Sequence, residues 1–587
     1  MKKITFLLSS MLLSLTAEAN NITFLDPHVK SVCVEKWDTN GDGELSMEEA
    51  AAVTSLNTVF SFDGTMASFP ELQYFTGLTT IGTYDFYSCK NLTTIVLPPQ
   101  ISSIGSSAFF GCYRLQEIVI PSAVKKINEY AFNGCTGLQS VSFQEGLTTI
   151  GEYAFSACSA LQGIAVPASV TSIATSAFWS CPGLNTITVD ANNTVYDSRE
   201  DCNGIIQTST NTLVLGTVNT VFPESVTAIG SSAFYGNSRL QTININGGVQ
   251  SIGASAFSGC TALTTVILAP TVTSIGSSAF SGCKKLTNIH LPVGLKTIGS
   301  GAFKTCTSLK KILIPSTVTN ISNNAFTECS KMFKVAMMNA TPITINNTVF
   351  PNYKNSTLYV PKGSLEAYQN AKYWKDFKNI VEFDDNTLTA AVEPEEMEAG
   401  KTANIVVSLA NDDFFDYHSL QMDITLPVGF SIDADAITLS DRCTGMIVTV
   451  GPLENNVYRL ICSSESAAIT GTEGALLTIA LQAASNVATG DYQGAAENSV
   501  LTDEYGTPSS LTDAEFAWSV VAYYLGDVNH DGIVNITDVV MCVDFVLGDY
   551  TNSFFEDRAD MNGDGIVNIT DVVIMVDTVL GAIPLTY

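Results

Sequence analysis

The chain has 587 residues, 46% of them hydrophobic, which is enough for several packed domains. Its net charge of −30 is unevenly placed: residues 1–383 hold 24 acids against 23 lysines and arginines, whereas residues 384–587 hold 33 acids against four bases. An acidic C-terminal third without a basic patch argues against nucleic acid and anionic membranes as partners, and it suits divalent cations. The two parts are therefore expected to be separate structural regions, joined near residues 384–386.

The N-terminus has the pattern of a secretory signal. Lys2 and Lys3 precede an apolar run over residues 4–15, and the small-residue site Ala17-Glu18-Ala19 predicts cleavage before Asn20. Because residue 20 is not a cysteine, a lipoprotein anchor is not expected, and no later stretch reaches the roughly 18 apolar residues of a membrane helix. We expect residues 1–19 to be a signal peptide and the protein to be secreted or held at the cell surface.

Residues 38–49 match the loop of an EF-hand at every ligand position. The expected calcium ligands are Asp38, Asn40, Asp42, the backbone carbonyl of Glu44, Ser46 and the bidentate carboxylate of Glu49. Gly43 supplies the sharp turn, and short apolar segments on both sides supply the helix–loop–helix context that the motif requires. We predict a calcium-binding EF-hand that caps the next domain, over residues 20–76; the alternative is a degenerate acidic turn.

A 23-residue unit then repeats along the chain. Its phenylalanine recurs in two groups of five with a constant step, and a cysteine follows three residues later in every unit except at Asn237. The phenylalanines are Phe86, Phe109, Phe132, Phe155, Phe178, Phe234, Phe257, Phe280, Phe303 and Phe326. The cysteines are Cys89, Cys112, Cys135, Cys158, Cys181, Cys260, Cys283, Cys306 and Cys329. A fixed period of this length indicates a solenoid, in which each unit buries its apolar side against its neighbours.

Each unit reads as a strand, such as residues 286–291, then commonly a proline, a second short extended piece with Ile-Gly, and a turn with Ala-Phe-x-x-Cys. Positions Cys+3, Cys+6 and Cys+8 are expected to face inward, and Cys+5 and Cys+7 outward. The repeat resembles the BspA-type, or treponemal-type, bacterial surface leucine-rich repeat. That resemblance implies a leucine-rich-repeat solenoid, here over residues 77–383, in a family whose members are mostly adhesins and surface binding proteins.

Two segments depart from the repeat. Residues 190–220 form an insertion with turn signals at Asn192-Asn193 and Asn203-Gly204, which predicts a structural hairpin; a hairpin that projects would be a contact element. Residues 361–383 are expected to shield the last coil with a helix. Its predicted N-cap is Ser364, and its apolar face carries Leu365, Tyr368, Ala371 and Trp374.

Fourteen cysteines in an exported protein invite a disulfide interpretation. The nine in the repeat column are instead expected to be buried thiols, because stacked side chains point the same way rather than at each other. No histidine accompanies the column, so metal binding there is not expected. Cys443 and Cys462 are the better candidate pair for a disulfide, and the sequence leaves their redox state open.

Residues 387–522 contain alternating apolar runs separated by turns, which predicts a β-sandwich. The predicted strands are residues 403–409, 420–426, 446–450, 457–462 and 475–481. The pattern resembles the sandwich group that includes cohesins and carbohydrate-binding modules. No residue set in it is assigned to sugar binding.

Residues 523–587 carry two near-identical 12-residue loops that are 33 residues apart, each followed by an apolar helix. Both have oxygen ligands at calcium-loop spacing, with Asp rather than Glu at position 12 and a backbone carbonyl at position 7. The first set is Asp527, Asn529, Asp531, Ile533, Asn535 and Asp538. The second set is Asp560, Asn562, Asp564, Ile566, Asn568 and Asp571. With the N-terminal loop, this predicts three calcium sites.

The duplicated segment resembles a type I dockerin, because no helix signature precedes its first loop; two simple EF-hand sensors are the alternative. The resemblance implies that a cohesin-type protein is bound through loop positions 10 and 11, which are Ile536 and Thr537 in the first copy and Ile569 and Thr570 in the second. Two copies would permit two binding orientations. The helix positions that are often basic in this family hold Asp544, Gly548, Asp577 and Gly581 here, which argues against a partner selected by basic residues.

The predicted fold class is a multidomain, mainly β chain: a leucine-rich-repeat solenoid, a β-sandwich and a small α-helical calcium-binding dockerin. Four scattered histidines and the lack of any catalytic motif predict that the chain is not an enzyme. The favoured function is a secreted interaction protein, adhesin-like, whose solenoid binds an unknown protein or glycan. The alternatives are a carbohydrate-binding component of a polysaccharide-degrading assembly, with the sandwich as glycan module, or a sandwich and dockerin that pair within or between copies of this chain.

Two surfaces of the solenoid are candidates for recognition, although both also fit plain coil packing. The outward Cys+7 column consists of Val96, Val119, Ser142, Ala165, Thr188, Asn244, Ile267, His290, Leu313 and Ala336. The aromatic residues directly after the repeat phenylalanine are Tyr87, Phe110, Trp179 and Tyr235.

Overall fold

Successive coils of the first unit are joined by two columns of short parallel strands. A computed structural model describes residues 20–245, 248–350, 353–548 and 554–581, so the expected signal peptide lies outside the described residues. The chain divides into two units, Met1–Phe383 and Asp384–Tyr587. The first unit is the solenoid, and the second holds a β-sandwich and the C-terminal helices.

The first column carries the longer strands, which pair in parallel and in register from coil to coil, for example Glu117–Ile120 with Ser140–Phe143. Its strands are Ser68–Phe69, Thr94–Ile95, Glu117–Ile120, Ser140–Phe143, Gly163–Val166, Thr186–Val189, Thr242–Asn244, Thr265–Ile267, Lys311–Ile314, Lys334–Met337, Thr357–Val360 and Asn379–Glu382. The predicted strand over residues 286–291 is not a regular strand, although Leu286, Ile289 and Leu291 still point into the core.

The second column consists of two-residue strands: Thr80–Ile81, Ser103–Ile104, Lys126–Ile127, Thr149–Ile150, Ser172–Ile173, Ala228–Ile229, Ser251–Ile252, Ser274–Ile275, Thr297–Ile298 and Asn320–Ile321. The glycine that often follows these strands has a steric reason. A Cβ on Gly299 would lie 2.5 Å from the backbone of Gly276 in the preceding coil, closer than non-bonded atoms can approach. Coil-to-coil spacing therefore requires glycine there.

The core of the solenoid is a column of stacked phenylalanine rings. Within each of the two predicted groups, neighbouring rings are 4.8–5.4 Å apart and within 11° of parallel. The column is longer than the sequence period indicates, because Phe60 stacks on Phe86 and Phe350 on Phe326. Each column cysteine is a buried thiol that donates a hydrogen bond of 3.0–3.3 Å to a phenylalanine carbonyl 26 or 29 residues earlier.

The N-terminal cap is a helix–loop–helix packed on the first coil. Helix α1 (Pro27–Trp37) begins at Asp26, whose carboxylate accepts the amide of His28, and α2 (Met47–Ala52) has a capping box between Ser46 and Glu49. Trp37 packs against two phenylalanines of the solenoid, so cap and coils share one apolar core. The first parallel strand pair joins Ser68–Phe69 to Thr94–Ile95, upstream of the expected start at residue 77.

The insertion is built into the solenoid sheet. Strands Gly204–Gln207 and Thr212–Gly216 form an antiparallel hairpin, preceded by Tyr196–Asp197, and the second hairpin strand continues in parallel with Ala228–Ile229. Ile205, Ile206 and Leu213 are fully buried, so this hairpin bridges the two groups of coils. Its own turn lies at residues 208–211, and the predicted signal at Asn192-Asn193 forms a separate turn in which the Asn193 amide donates to the Asp190 carbonyl.

The C-terminal end of the solenoid differs from the predicted helical cap. Helix α3 (Leu365–Asn370) is only six residues long, the Ser364 side chain makes no capping hydrogen bond, and Ala371 and Trp374 lie beyond the helix. Trp374 is buried against Phe350 in a 3₁₀ turn, Trp374–Asp376, and Asn379–Glu382 then adds a last parallel strand. The other 3₁₀ turns are Pro70–Tyr74, Arg199–Asp201, Tyr353–Asn355 and Asp441–Cys443.

The sandwich of the second unit consists of two sheets. One has, in spatial order, the antiparallel strands Thr387–Glu393, Thr402–Ala410, Ala475–Ala483 and Phe430–Leu439. The other has Glu396–Glu398, Ala514–Val521, Gly490–Asp503, Tyr417–Thr425, Val457–Ser463 and Ile447–Pro452, with Pro508–Ser510 beside Gly490–Asp503. In this second sheet only the first pair is parallel. Buried apolar residues from both sheets form the core.

Three helices follow the sandwich: α4 (Ile536–Leu547), α5 (Glu556–Ala559) and α6 (Ile569–Val579). Helices α4 and α6 each begin directly after a predicted calcium loop and pack on each other around Val539, Cys542, Val572 and Met575. Each begins with an asparagine N-cap and a capping box, which is why the loop sequence leads straight into the helix.

All fourteen cysteines are free and buried. Cys443 and Cys462 are neighbours in the sandwich core, and the hydrogen bond from the Cys462 thiol lowers the pKa of Cys443. Among the described residues, no helix combines the length and the apolar character that a membrane span needs.

Candidate calcium loops and partner surfaces

The first loop of the C-terminal helical segment gathers three carboxylates. Oxygens of Asp527, Asp531 and Asp538 lie within 4.8 Å of one another, and Asp527 and Asp538 are fully buried. Asp538 accepts the amides of Val528 (3.0 Å), Asn529 (3.2 Å) and Asn535 (2.9 Å), which fixes its carboxylate across the loop. Three acids this close repel one another unless a cation lies between them.

The electrostatics of Asp538 agree with this crowding. Burial raises the pKa of the Asp538 carboxyl above its ordinary value, and the charges of Asp527 and Asp531 raise it further. A hard divalent cation is the group that such a set of oxygens fits. Asp527, Asp531 and Asp538, with Asn529 and the carbonyl of Ile533, would hold calcium, which would balance the charges of the three carboxylates.

The second loop has a similar pattern of hydrogen bonds, although among the described residues only the first loop brings three carboxylates within 4.8 Å of one another. Asp560 accepts the amides of Gly563 (2.8 Å) and Gly565 (2.7 Å), and Asp571 accepts those of Asn562 (3.2 Å) and Asn568 (2.9 Å). In both loops the position-9 asparagine caps the following helix: its oxygen accepts the amide of Thr537 or Thr570 at 2.7–2.8 Å. Its amide group donates to the carbonyl of Ile533 or Ile566.

The N-terminal loop closes around Glu49. Its carboxylate accepts the amides of Thr39 and Asn40 through one oxygen and the amide and hydroxyl of Ser46 through the other, at 2.8–3.1 Å. Burial acts to raise the pKa of Glu49, but the hydrogen bonds from Ser46 and Thr39 lower it to about 2. Asp38 accepts the amides of Gly41 and Gly43 from the other side of the loop.

Arg558 is a site residue that motif reasoning does not find. Its guanidinium is 2% exposed, donates to Asp527 at 3.3 Å and to Glu398 of the sandwich, and lies 5.4 Å from the centre of the Tyr523 ring. A buried arginine needs such partners. The sequence gives one indication of its importance: Arg558 is the only lysine or arginine after Arg459.

The expected partner-binding residues lie on two matching exposed stripes. In the first copy Ile533, Ile536, Val540 and Leu547 are 52–75% exposed, and their counterparts Ile566, Ile569, Val573 and Leu580 are 54–76% exposed. Thr537 and Thr570 are exposed at the start of the same stripes. The residues predicted from the sequence are thus brought together, twice, on the surface of α4 and α6.

On the solenoid, the Cys+7 column is exposed over its first part. Val96, Val119 and Ile267 are 39–57% exposed, and a cleft of about 370 Å³ opens between the coils that carry Val96 and Val119. At the other end of the column Ala336 is buried, contrary to its expected outward exposure. The register places its methyl group between the larger side chains of Leu313 and Tyr359.

Comparison with protein families gives two matches. A model described as BspA type leucine rich repeat region matches in six copies, over residues 60–199, 215–333 and 262–379, which together are more than half of the chain. The chain belongs to this family. A second model, the dockerin type I domain, matches residues 525–580.

Solved structures similar to this BspA-type protein include the pneumococcal vaccine antigen PcpA (20% identity, 53% of this chain and 78% of that chain, TM-score 0.46). A leucine rich cell surface protein from Faecalibacterium prausnitzii is also similar (25% identity, 53% and 78%, TM-score 0.35). A cohesin–dockerin complex chain from Clostridium thermocellum matches 23% of this chain and 99% of its own length, at 14% identity and a TM-score of 0.20. No curated protein matches the chain.

The two families define the broad role of this BspA-type chain. Both are non-catalytic interaction modules, typical of extracellular or surface-associated proteins. Type I dockerins are calcium-binding domains that pair with cohesins, so a cohesin is the partner of residues 525–580. The ligand of the solenoid is not defined by the family.

Proposed function

We propose that the chain is an exported, calcium-stabilised, non-catalytic interaction protein. Its dockerin attaches it to a cohesin-bearing partner through either of two stripes, and its solenoid binds a surface ligand in the manner of an adhesin. The observation that carries the proposal is the duplicated stripe, because Ile536 and Ile569 stand at equivalent exposed positions directly after two near-identical loops.

Calcium stabilisation is inferred from the charge of the loops. Eleven acids and one base lie in residues 523–587, and three of those acids converge within 4.8 Å in the first loop. Ligand residues of this type must be deprotonated and held together against their repulsion, so binding of the cation and folding of the loop are coupled. We propose calcium in both dockerin loops and in the N-terminal loop at residues 38–49.

The partner is proposed to be another protein and not a second copy of this chain. The sandwich and the dockerin together carry 33 acids against four bases, so association between two copies would bring like charges together. A cohesin that covers one exposed stripe would bury isoleucine, valine and leucine side chains that otherwise face water.

Immobilised type I cohesins and the full chain in solution test this proposal. We expect calcium-dependent binding that survives Ile536→Asp alone or Ile569→Asp alone, because the other stripe remains. The double variant should lose at least a hundredfold in affinity, since a carboxylate would be placed in each apolar contact. Surface plasmon resonance with and without a chelator measures both effects.

Val428→Asp is the matched control, because Val428 is 93% exposed in the sandwich, away from the stripes. It should bind like the unchanged chain. Binding that resists the double variant would exclude the stripes as the contact, and binding that resists the chelator would exclude calcium dependence.

A second candidate function is that of a carbohydrate-binding component of a polysaccharide-degrading assembly. The observation that favours it lies on the solenoid: a cleft of about 630 Å³ lined by aromatic rings and hydroxyl groups. Its volume is within the range of pockets that hold small ligands.

A further inference from the structure

The outer edge of the phenylalanine turn carries most of its aromatic rings in the N-terminal coils, and ring contacts continue through Trp179 to Tyr235 at the start of the second group of coils. We define the aromatic edge as Phe62, Tyr84, Tyr87, Phe110, Tyr130 and Tyr153. Phe62 is 72%, Tyr84 50% and Tyr130 37% exposed. The rings are in contact along the solenoid: Phe62 is 5.0 Å from Tyr87, Tyr87 is 4.9 Å from Phe110, and Tyr130 is 4.8 Å from Tyr153, measured between ring centres.

Comparison between coils shows whether the repeat needs an aromatic ring at this edge. Two residues before the column phenylalanine, the backbone has a positive φ of 53–63° in coil after coil. Tyr84, Tyr130 and Tyr153 occupy that position in three of the N-terminal coils, and Ser107 occupies it in a fourth. Equivalent residues with the same φ in the C-terminal coils are Ser232, Ser255, Ser278, Gly301 and Asn324. The coil therefore forms without a ring at this position.

A tyrosine at this position is unfavourable for folding. The left-handed backbone costs on the order of 1–3 kcal/mol for any residue other than glycine, so a tyrosine has no backbone advantage there over the serines of other coils. The same is true of Phe62, which has a φ of 60° where the later coils have glycine at Gly236, Gly259 and Gly282. The fold does not require aromatic side chains at these positions, which favours a role for the rings in binding.

Alternate backbone amides along this edge are already paired with the next coil. The amides of Tyr84, Phe86 and Ser88 donate to carbonyls of the next coil, and those of Ser107, Phe109 and Gly111 do the same one coil later, at 2.7–3.3 Å. A peptide that docked as an added strand would need free main-chain groups. A ligand at this edge would therefore contact aromatic rings and hydroxyl groups.

We infer that the aromatic edge binds an uncharged polysaccharide. The cleft of about 630 Å³ along it is lined by Phe62, Tyr84, Tyr87, Phe110 and Tyr130 with the hydroxyls of Thr58, Ser61 and Ser107, and none of these side chains is charged. A neutral sugar ring has apolar C–H groups that pack on the negative face of an aromatic ring, and hydroxyls that pair with side-chain hydroxyls. This inference rests on the proposed function, in that it assigns a ligand class to the solenoid.

The test is affinity electrophoresis of the full chain in gels that contain hydroxyethylcellulose, arabinoxylan, galactomannan or amylopectin, with polygalacturonate as the charged comparison. We expect at least one neutral polymer to retard the chain. The double variant Tyr84→Ser, Tyr130→Ser should weaken that binding at least tenfold. Serine is the residue of Ser232 and Ser255 at the equivalent position, so the variant should keep its fold and its thermal midpoint.

Phe333→Thr is the matched control, because Phe333 is 48% exposed on another face and Thr93, Thr264 and Thr287 occupy the same repeat position. It should bind like the unchanged chain. Retardation by no neutral polymer would overturn the inference, as would full retention by the tyrosine double variant. Binding to immobilised gelatin that depends on the two tyrosines, without polysaccharide binding, would also overturn it in favour of a protein ligand.

One further variant separates this inference from the broader proposal. If Val96→Thr, Val119→Thr abolishes polysaccharide binding while the tyrosine double variant does not, the aromatic edge is excluded and a solenoid ligand site remains. If neither variant affects it, both the aromatic edge and the exposed strand face are excluded. Cohesin binding should be unchanged in all these variants, since it depends on α4 and α6.

Discussion

The solenoid and the dockerin are both built from repeated sequence, but they are stabilised in opposite ways. In the solenoid the repeated residues are apolar and buried, as in the ring stack from Phe86 to Phe178. In the dockerin each repeated loop has three aspartates at fixed positions, and the first loop brings its three carboxylates within 4.8 Å. Repetition alone therefore does not indicate function: in the solenoid the constant positions maintain the fold, whereas in the dockerin they include the proposed cation ligands.

Calcium removal should have the largest effect. It should unfold the dockerin and leave the solenoid folded. With a chelator, amide hydrogen exchange in α4 and α6 should rise towards that of an unfolded chain, because three acids in one loop repel each other without a cation. Exchange in Glu117–Ile120 and Ser140–Phe143 should not change, since their stacking needs no ion. Exchange mass spectrometry by segment measures both.

The N-terminal loop should respond less strongly to calcium removal than the dockerin. The Glu49 carboxylate already accepts five hydrogen bonds in addition to any cation, and α1 and α2 share the solenoid core. Chelation should therefore loosen residues 38–49 without unfolding α1. Protected amides in α4 and α6 under chelation would contradict the account of the dockerin, and loss of protection in the solenoid strands would contradict that of the solenoid.

The second effect is that of removing one ring from the stack. Phe132→Ala should lower the free energy of unfolding by about 3–5 kcal/mol, because Phe132 is fully buried between Phe109 and Phe155 and leaves a cavity. Urea denaturation followed by tyrosine and tryptophan fluorescence measures this loss. Phe333→Thr, an exposed change, should stay within about 0.5 kcal/mol. Similar values for both variants would show that the stack is not what stabilises the coils.

Much of this contrast is visible in the sequence. A period of 23 identifies the stacked core because only buried positions must repeat, and the acidic loops are identified because cation ligands need fixed spacing. The ends of the solenoid are not identified in this way. Phe60 and Phe350 lie 26 and 24 residues from their neighbours, so they fall outside the constant step although they stack in the same column.

Other features depend on tertiary contacts that no local pattern encodes. The hairpin Gly204–Gln207 and Thr212–Gly216 becomes part of the solenoid sheet because its second strand finds a parallel partner in Ala228–Ile229. Helix α3 ends at Asn370 because Trp374 turns inward onto Phe350. No sequence motif identifies Arg558 either, because its partner Glu398 is 160 residues away along the chain.

Arg558 makes the two dockerin loops electrostatically different. The first loop has a built-in cation 3.3 Å from Asp527, whereas among the described residues Asp560 of the second loop has no such partner. Arg558→Met should therefore raise the calcium affinity of the first loop about fivefold, a change of about 1 kcal/mol, because a competing positive charge is removed. Isothermal titration calorimetry of the full chain resolves this.

The second loop is the internal control, because its calcium affinity should not change in Arg558→Met. The variant also leaves Glu398 in the sandwich without its cation, so the junction between sandwich and dockerin should become more sensitive to protease. Equal shifts in both loops, or a fall in affinity at the first, would show that Arg558 supports the loop instead of competing with calcium.

The smallest expected effect is at the column cysteines, which should not react at all while the solenoid is folded. Burial raises the pKa of Cys181, Cys260 and Cys329 to about 12, so at pH 8 only about one thiol in ten thousand is the reactive thiolate. Iodoacetamide at pH 8 should leave all nine unmodified in the native chain and label them in urea, as peptide mass spectrometry would show. The chelated chain should label no further column cysteine, although Cys542 between α4 and α6 should become reactive as the dockerin unfolds. Modification of any column cysteine in the folded chain would show that the coils open, and would remove the contrast between an ion-independent solenoid and an ion-dependent dockerin.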